Sequence, residues 1–206
     1  MIGASHPNFV LFFQESALEQ PALYVMQWAL FTLGSAAILW VSRRSLLAPR
    51  SHGFYRFFAW EILLILFLIN VEGWFDHPLA YYQLISWALL IVSIGLVGEG
   101  VRLLREIGQQ NAARRDPALL GLEKTAHLVT VGLYHYIRHP LYSSLLFLDW
   151  GMFFKSPSWL DLGLALLCTA FLVATARIEE GENIRYFGAE YVEYMQRSKM
   201  FLPFVF

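Results

Sequence analysis

Three long apolar stretches, about Pro21 to Val41, Phe57 to Trp74 and Tyr81 to Leu104, set the terms on which this chain can fold. Each is close to the roughly 20 residues that an α-helix needs to cross a bilayer. Two further apolar runs, about Leu141 to Phe154 and Trp159 to Ala176, flank Lys155-Ser156-Pro157-Ser158, a polar break with a helix-stopping proline. They are expected to form a helical hairpin whose first arm is short for a full crossing. Composition agrees, because 57% of the 206 residues are hydrophobic and 15% are charged, against about 45–50% apolar and about 25% charged in soluble domains. The expected fold is all-α: a polytopic integral membrane protein of about five transmembrane helices, including a C-terminal helical hairpin.

The placement of cations orients this arrangement. Arg43, Arg44, Arg50 and Arg56 fill the first loop, and Arg102, Arg105, Arg114, Arg115, Lys124 and Arg138 follow the third run. Cytosolic segments carry the excess of Lys and Arg, so both regions are expected in the cytosol, with the N-terminus out and the C-terminus in. The turn around Asp76-His77-Pro78 and the N-terminal segment hold no Lys or Arg and fall on the other side. Trp28, Trp40, Trp60, Trp74, Tyr81, Tyr82 and Trp159 lie near the ends of the runs, where amphipathic rings favour the headgroup zone. Before the first run stand Glu15 and Glu19 and no cation, so no cleavable signal is expected.

A net charge of −1 offers no broad basic surface, which sets nucleic acid aside as a partner. The single cysteine, Cys168, cannot form an intrachain disulfide, and no CxxC or Cys/His cluster suggests a metal site. We read 1–206 as a single membrane domain, with a three-helix region over 1–108. Residues 109–206 then supply a cofactor-binding loop, the hairpin and a cytosolic C-terminal helix. Gln109 to Ala126 is the main polar connector, with Asp116-Pro117 a helix start, and its position makes it a candidate lid. Within the runs, Glu61, Asn70, Glu72 and Glu99 are costly in hydrocarbon. Glu61 and Glu72 fall near the two ends of the second helix and Asn70 can bond a neighbouring helix. Glu99, beside Gly95, Gly98 and Gly100, is a candidate to line a pocket.

Polar groups concentrate in two places. His127-Leu128-Val129-Thr130-Val131-Gly132-Leu133-Tyr134-His135-Tyr136-Ile137-Arg138-His139-Pro140-Leu141-Tyr142 directly precedes the hairpin, and Arg177-Ile178-Glu179-Glu180 followed by Phe187-Gly188-Ala189-Glu190-Tyr191 comes after it. Two antiparallel arms of similar length return the chain to its starting face, so residues about 40 apart become neighbours at one cytosolic mouth.

On these residues the chain resembles the isoprenylcysteine carboxyl methyltransferase family, and more broadly the membrane methyltransferases that include phosphatidylethanolamine N-methyltransferase. The resemblance is carried by His127-Leu-Val-Thr-Val-Gly132-Leu-Tyr134, by Arg138-His139-Pro140-Leu-Tyr142, and by Glu179-Glu180 followed by Phe187-Gly188-Ala-Glu190-Tyr191 with Pro203 near the end. It covers roughly the last 80 residues. It implies that S-adenosyl-L-methionine (S-adenosylmethionine) is held by Ala126, His127, Leu128, Val129, Tyr134, His139, Pro140, Leu141, Tyr142 and Glu179, with Gly132 and Glu180 counted in the same set. The family's substrate-binding arginine corresponds to Thr175 here; Arg177 is the nearby cation that can hold an anionic acceptor.

The ligand's chemistry fits these residue types. Its amino group and sulfonium are cationic, and it also carries an adenine ring and a carboxylate, so it calls for an acid, aromatic faces and a donor. Glu179 suits the amino group, Tyr134 and Tyr142 the ring or sulfonium, and His139 or Arg138 the carboxylate. Gly132 permits a sharp turn or a close approach of backbone, and Pro140 can open a helix. A carboxylate acceptor, with a reference pKa of about 3.3–3.7, is ionised at neutral pH, so no general base is assigned. The expected function is S-adenosylmethionine-dependent methylation of a lipid-like or prenylated acceptor in the membrane, at a site facing the cytosol, with no obligate protein partner. Two alternatives stay open. One is an NADPH-dependent enzyme like the sterol reductases, whose Arg-His-Pro-Asn-Tyr pattern has Leu141 in place of asparagine here. The other is a non-catalytic membrane scaffold.

Overall fold

The computed structural model describes residues 21–109 and 124–205, and among them the regular structure is entirely helical. Helix α1 spans Pro21–Leu46, α2 His52–Asn70 and α3 Tyr81–Glu106; a 3₁₀ turn at Glu72–Phe75 lies between α2 and α3. Then come the single turn α4 (Leu133–Tyr136), α5 (Pro140–Phe153), α6 (Trp159–Phe187) and α7 (Ala189–Arg197). Four of these helices, α1, α2, α3 and α6, are long and apolar enough to cross a membrane. The chain is an integral membrane protein in its architecture. Its fifth apolar helix, α5, has 14 residues and rises only about 21 Å.

The hairpin of α5 and α6 forms the centre. α5 packs on α3, α6 packs on α2, and α1 lies against α2. Ala59, Ile62, Leu63 and Leu66 of α2 meet Met152 of α5 and Cys168 and Leu172 of α6 in the main core. Between helices in lipid, close approach and hydrogen bonds to backbone replace the hydrophobic drive, and the α3–α5 seam uses both. Ser86 and Ser93 donate to the carbonyls of Gly151 (2.7 Å) and Ser144 (2.8 Å). Leu90 packs onto Gly151, and Gly100 lies against Pro140 and Leu141. The opposite faces present Trp28, Leu33, Ile91, Ile94 and Leu166 outward, as lipid-facing surfaces should.

Several helix ends differ from the hydropathy reading. α1 continues to Leu46 and carries Arg43 and Arg44 in its last turn, where cations suit the carbonyl end of a helix. α2 begins at His52 and stops at Asn70, so Trp74 sits in the 3₁₀ turn. α6 runs past Ala176 to Phe187 because nothing in that stretch stops a helix before Gly188, whose φ of 64° ends it. The expected helix start at Asp116-Pro117 and most of the candidate lid lie outside the described residues.

The end of the bundle away from the polar clusters is tied by Lys155. Its Nζ donates to Gln83 Oε1 (3.0 Å) and to the Trp74 carbonyl (3.3 Å), over the Trp87 ring. Asn70 reaches Asp161 of α6 at 3.4 Å.

Candidate active site

At the other end, the backbone first gathers three segments. The N–H of Ala126 donates to the carbonyls of Gly108 (2.9 Å) and Gln109 (2.8 Å), anchoring the loop against the end of α3. Gly132 then turns the chain with φ 61° and ψ −129°, a conformation closed to most L-residues. A β-carbon there would also fall 2.8 Å from Leu103 Cδ1. The turn swings Tyr134 inward on α4, where its carbonyl accepts from Tyr194 Oη at 2.5 Å. Beyond it, Arg138 and His139 run beside the C-terminal segment: their N–H groups donate to Lys199 O (2.7 Å) and Met200 O (3.2 Å), and Lys199 N–H donates to Tyr136 O (2.9 Å). Pro140 opens α5 at its first turn, where a missing N–H costs nothing.

These elements enclose a cleft whose free space, counted out to its open mouth, is about 590 Å³. Its wall is built from the loop, α4, the start of α5, the end of α6, and α7. The two adjacent acids of α6 have different surroundings. Glu179 faces the cleft and accepts from Tyr142 Oη at 2.5 Å. Glu180 turns under the loop, buried, and accepts from Arg138 Nε at 2.6 Å with His139 Nε2 at 3.5 Å. Neighbours on a helix are about 100° apart, so α6 sends one carboxylate into the cleft and the other into its supporting wall. Arg138 extends that support by donating from Nη1 to Ser198 O (2.5 Å). The His139 ring lies nearly parallel to the Tyr142 ring, with centroids 5.5 Å apart. Burial, with the Glu179 carboxylate nearby, pushes the Tyr191 phenol well above its ordinary pKa, and burial does the same to Tyr194. Both are neutral hydrogen-bonding groups.

Of the residues singled out in the sequence, Leu128, Val129, Tyr134, Arg138, His139, Pro140, Leu141, Tyr142 and Glu179 line this cleft together. Ala126, His127 and Gly132 shape the loop without lining it, and Glu180 backs the wall. Arg177 is exposed and outside the lining, while Thr175 is buried with its hydroxyl on the Phe171 carbonyl. Glu99 is also outside it, paired with Arg102 at 2.5 Å on the outer face of α3. Sequence reasoning passed over Leu104, Thr125, Asn183 and Tyr194, which do line it. One signal was available, since Glu179, Asn183 and Phe187 recur at i, i+4 and i+8 on one helix face.

Comparison with known proteins bears on what such a cleft does. The sequence model of a family described as "Phospholipid methyltransferase" matches residues 82–190, more than half of the chain and the whole run from α3 to the start of α7. The chain is also similar to protein-S-isoprenylcysteine O-methyltransferase B of Arabidopsis thaliana, at 31% identity over 106 residues, which are 50% of this chain and 54% of that protein. The chain thus matches about half the length of that curated relative. No solved structure matches it.

Proposed function

The chain belongs to the phospholipid methyltransferase family, and from that premise we propose that it is an S-adenosylmethionine-dependent methyltransferase of a membrane-embedded, lipid-like or prenylated acceptor. Carboxyl O-methylation is the reaction proposed, and the bundle is oriented with the N-terminus out, the C-terminus in, α5 as the fifth span, and the cleft toward the cytosol. The observation that carries the reading is the meeting of Tyr142 and Glu179, 37 residues apart, at a cleft in whose lining Glu179 is the one acidic residue among those described.

The donor set suits the proposed cofactor. Arg138, the arginine of the lining, is neutralised by Glu180, so the cleft presents the Glu179 carboxylate to a cationic ligand. An ammonium held there makes a charge-assisted contact, and the Tyr134 and Tyr142 faces accept positive charge on a sulfonium. Val129, Leu128 and Leu141 exclude water. When bound, the cofactor supplies an electrophilic methyl group; the protein's part is placement and desolvation. An ionised carboxylate acceptor needs no proton removed, which is consistent with a cleft whose buried tyrosines stay neutral. Because α5 rises about 21 Å against a hydrocarbon core of about 30 Å, it crosses by thinning the bilayer locally, which brings the cleft at its Pro140 end close to the acyl chains. A lipid-like acceptor can therefore approach sideways.

The test is calorimetry of S-adenosylhomocysteine with the purified protein in nanodiscs, beside Glu179→Ala and with NADPH as competitor. Micromolar binding is about 8 kcal/mol, and losing a charge-assisted contact of about 1.5–3 kcal/mol should weaken it roughly ten- to a hundredfold. Transfer of labelled methyl to a farnesylcysteine carboxylate, assayed in the same preparation, tests the acceptor. Absence of S-adenosylhomocysteine binding to folded protein, or binding of NADPH alone, would overturn the proposal.

A further inference from the structure

The lining of the cleft extends along α6 beyond Glu179. Glu179, Asn183 and Phe187 all line it and follow one another on successive turns of α6, a stripe about 12 Å long. α7 completes this end: Tyr191 lines it beside Asn183 and Phe187, and the Tyr191 and Phe187 rings are nearly parallel, 17° apart in plane with centroids 6.4 Å apart. Apolar and aromatic side chains would suffice merely to fill the space. An amide beside two aromatic rings instead offers a donor and an acceptor in one plane next to flat apolar surface.

We propose that Asn183, with Phe187 and Tyr191, is the element of this cleft that reads the purine of the bound nucleoside. This rests on the cofactor reading above. With an ammonium at Glu179, an extended nucleoside amino acid directs its base toward the far end of the stripe. There the amide pairs with adenine in the way an asparagine recognises that base, its carbonyl accepting from the exocyclic amine and its N–H donating to a ring nitrogen. The aromatic pair supplies a stacking wall, which is indifferent to the identity of the base. Discrimination therefore falls to the amide. A hypoxanthine base has a carbonyl where adenine has the amine, so it sets two acceptors against each other.

The experiment compares binding of S-adenosylhomocysteine and S-inosylhomocysteine by calorimetry in nanodiscs, for the full chain and for Asn183→Leu and Asn183→Asp. The unmodified protein is expected to prefer the adenine ligand by roughly 5- to 150-fold. Asn183→Leu should bring the two affinities within about twofold of each other. Asn183→Asp keeps the shape and the acceptor but removes the donor, so it should bind the adenine ligand more weakly while still rejecting the hypoxanthine one; it serves if the leucine variant does not fold. Binding of both ligands equally by the unmodified protein overturns this inference alone. So does a preference that survives unchanged in both variants, because backbone or another side chain would then be the reader. Failure to bind either ligand overturns this inference together with the cofactor reading.

Discussion

Arg138→Met is expected to destabilise the protein by about 3–5 kcal/mol, the cost of stripping one partner from a buried ion pair. The structure makes the high end of the scale reasonable. Arg138 Nε meets Glu180 Oε1 at 2.6 Å with the two side chains only 10% and 9% exposed, and Nη1 satisfies the Ser198 carbonyl. Methionine fills the space but strips the Glu180 carboxylate of its guanidinium, leaving the His139 ring 3.5 Å away, and takes the donor from the Ser198 carbonyl at the end of α7. Glu180→Gln should cost less, about 1–3 kcal/mol, because the guanidinium keeps its backbone partner. The double variant should fall short of the sum by about 1 kcal/mol or more, since no uncompensated charge is then buried. The assay is unfolding in mixed detergent micelles with increasing SDS, followed by tryptophan fluorescence, repeated at high salt; a buried pair should respond little to screening. Additivity of the two single changes within about 0.5 kcal/mol, or a loss that disappears in high salt, would refute the reasoning.

Three further outcomes follow from the same geometry. Tyr142→Phe removes the phenol that donates to Glu179 at 2.5 Å while keeping the ring against His139; S-adenosylhomocysteine affinity measured by calorimetry should change by less than in Glu179→Ala, with stability lowered by about 1–3 kcal/mol. Gly132→Ala should be costly, about 1–3 kcal/mol for the positive φ alone, with more from the Leu103 contact; trimming the neighbour in Gly132→Ala/Leu103→Ala should recover only the contact part, which thermal unfolding of the two variants separates. Lys155→Met should lower stability by about 2–4 kcal/mol through loss of charge-assisted bonds to Gln83 and Trp74 and of the Trp87 contact. Its S-adenosylhomocysteine affinity should stay unchanged, because the cleft lies a full α5 length away.

Much of the scaffold was legible because lipid imposes a coarse rule: long apolar runs must be helices that close their own hydrogen bonds. That rule located α1, α2, α3 and both hairpin arms. It was weakest at helix ends, where Arg43 and Arg44 extend α1 and where the polar stretch from Arg177 to Tyr186 continues α6. Hydropathy marks where hydrocarbon ends, whereas a helix stops only where a residue such as Gly188 stops it.

By itself, the sequence determined the all-helical, apolar bundle, the order of the polar clusters and the set Leu128, Val129, Tyr134, Arg138 to Tyr142 and Glu179 that converges on one cleft. Only the tertiary structure decided how their labour is divided. Glu179 and Glu180 are identical in chemistry and adjacent in the chain, and no local pattern says which faces the cleft. The rotation of α6 against α5 and the loop sends one to Tyr142 and the other to Arg138. The same holds for Asn183 and for the pairing of Arg138 and His139 with Lys199 and Met200. These partners lie tens of residues apart, and only packing in three dimensions brings a side chain to a partner that its sequence neighbourhood does not contain.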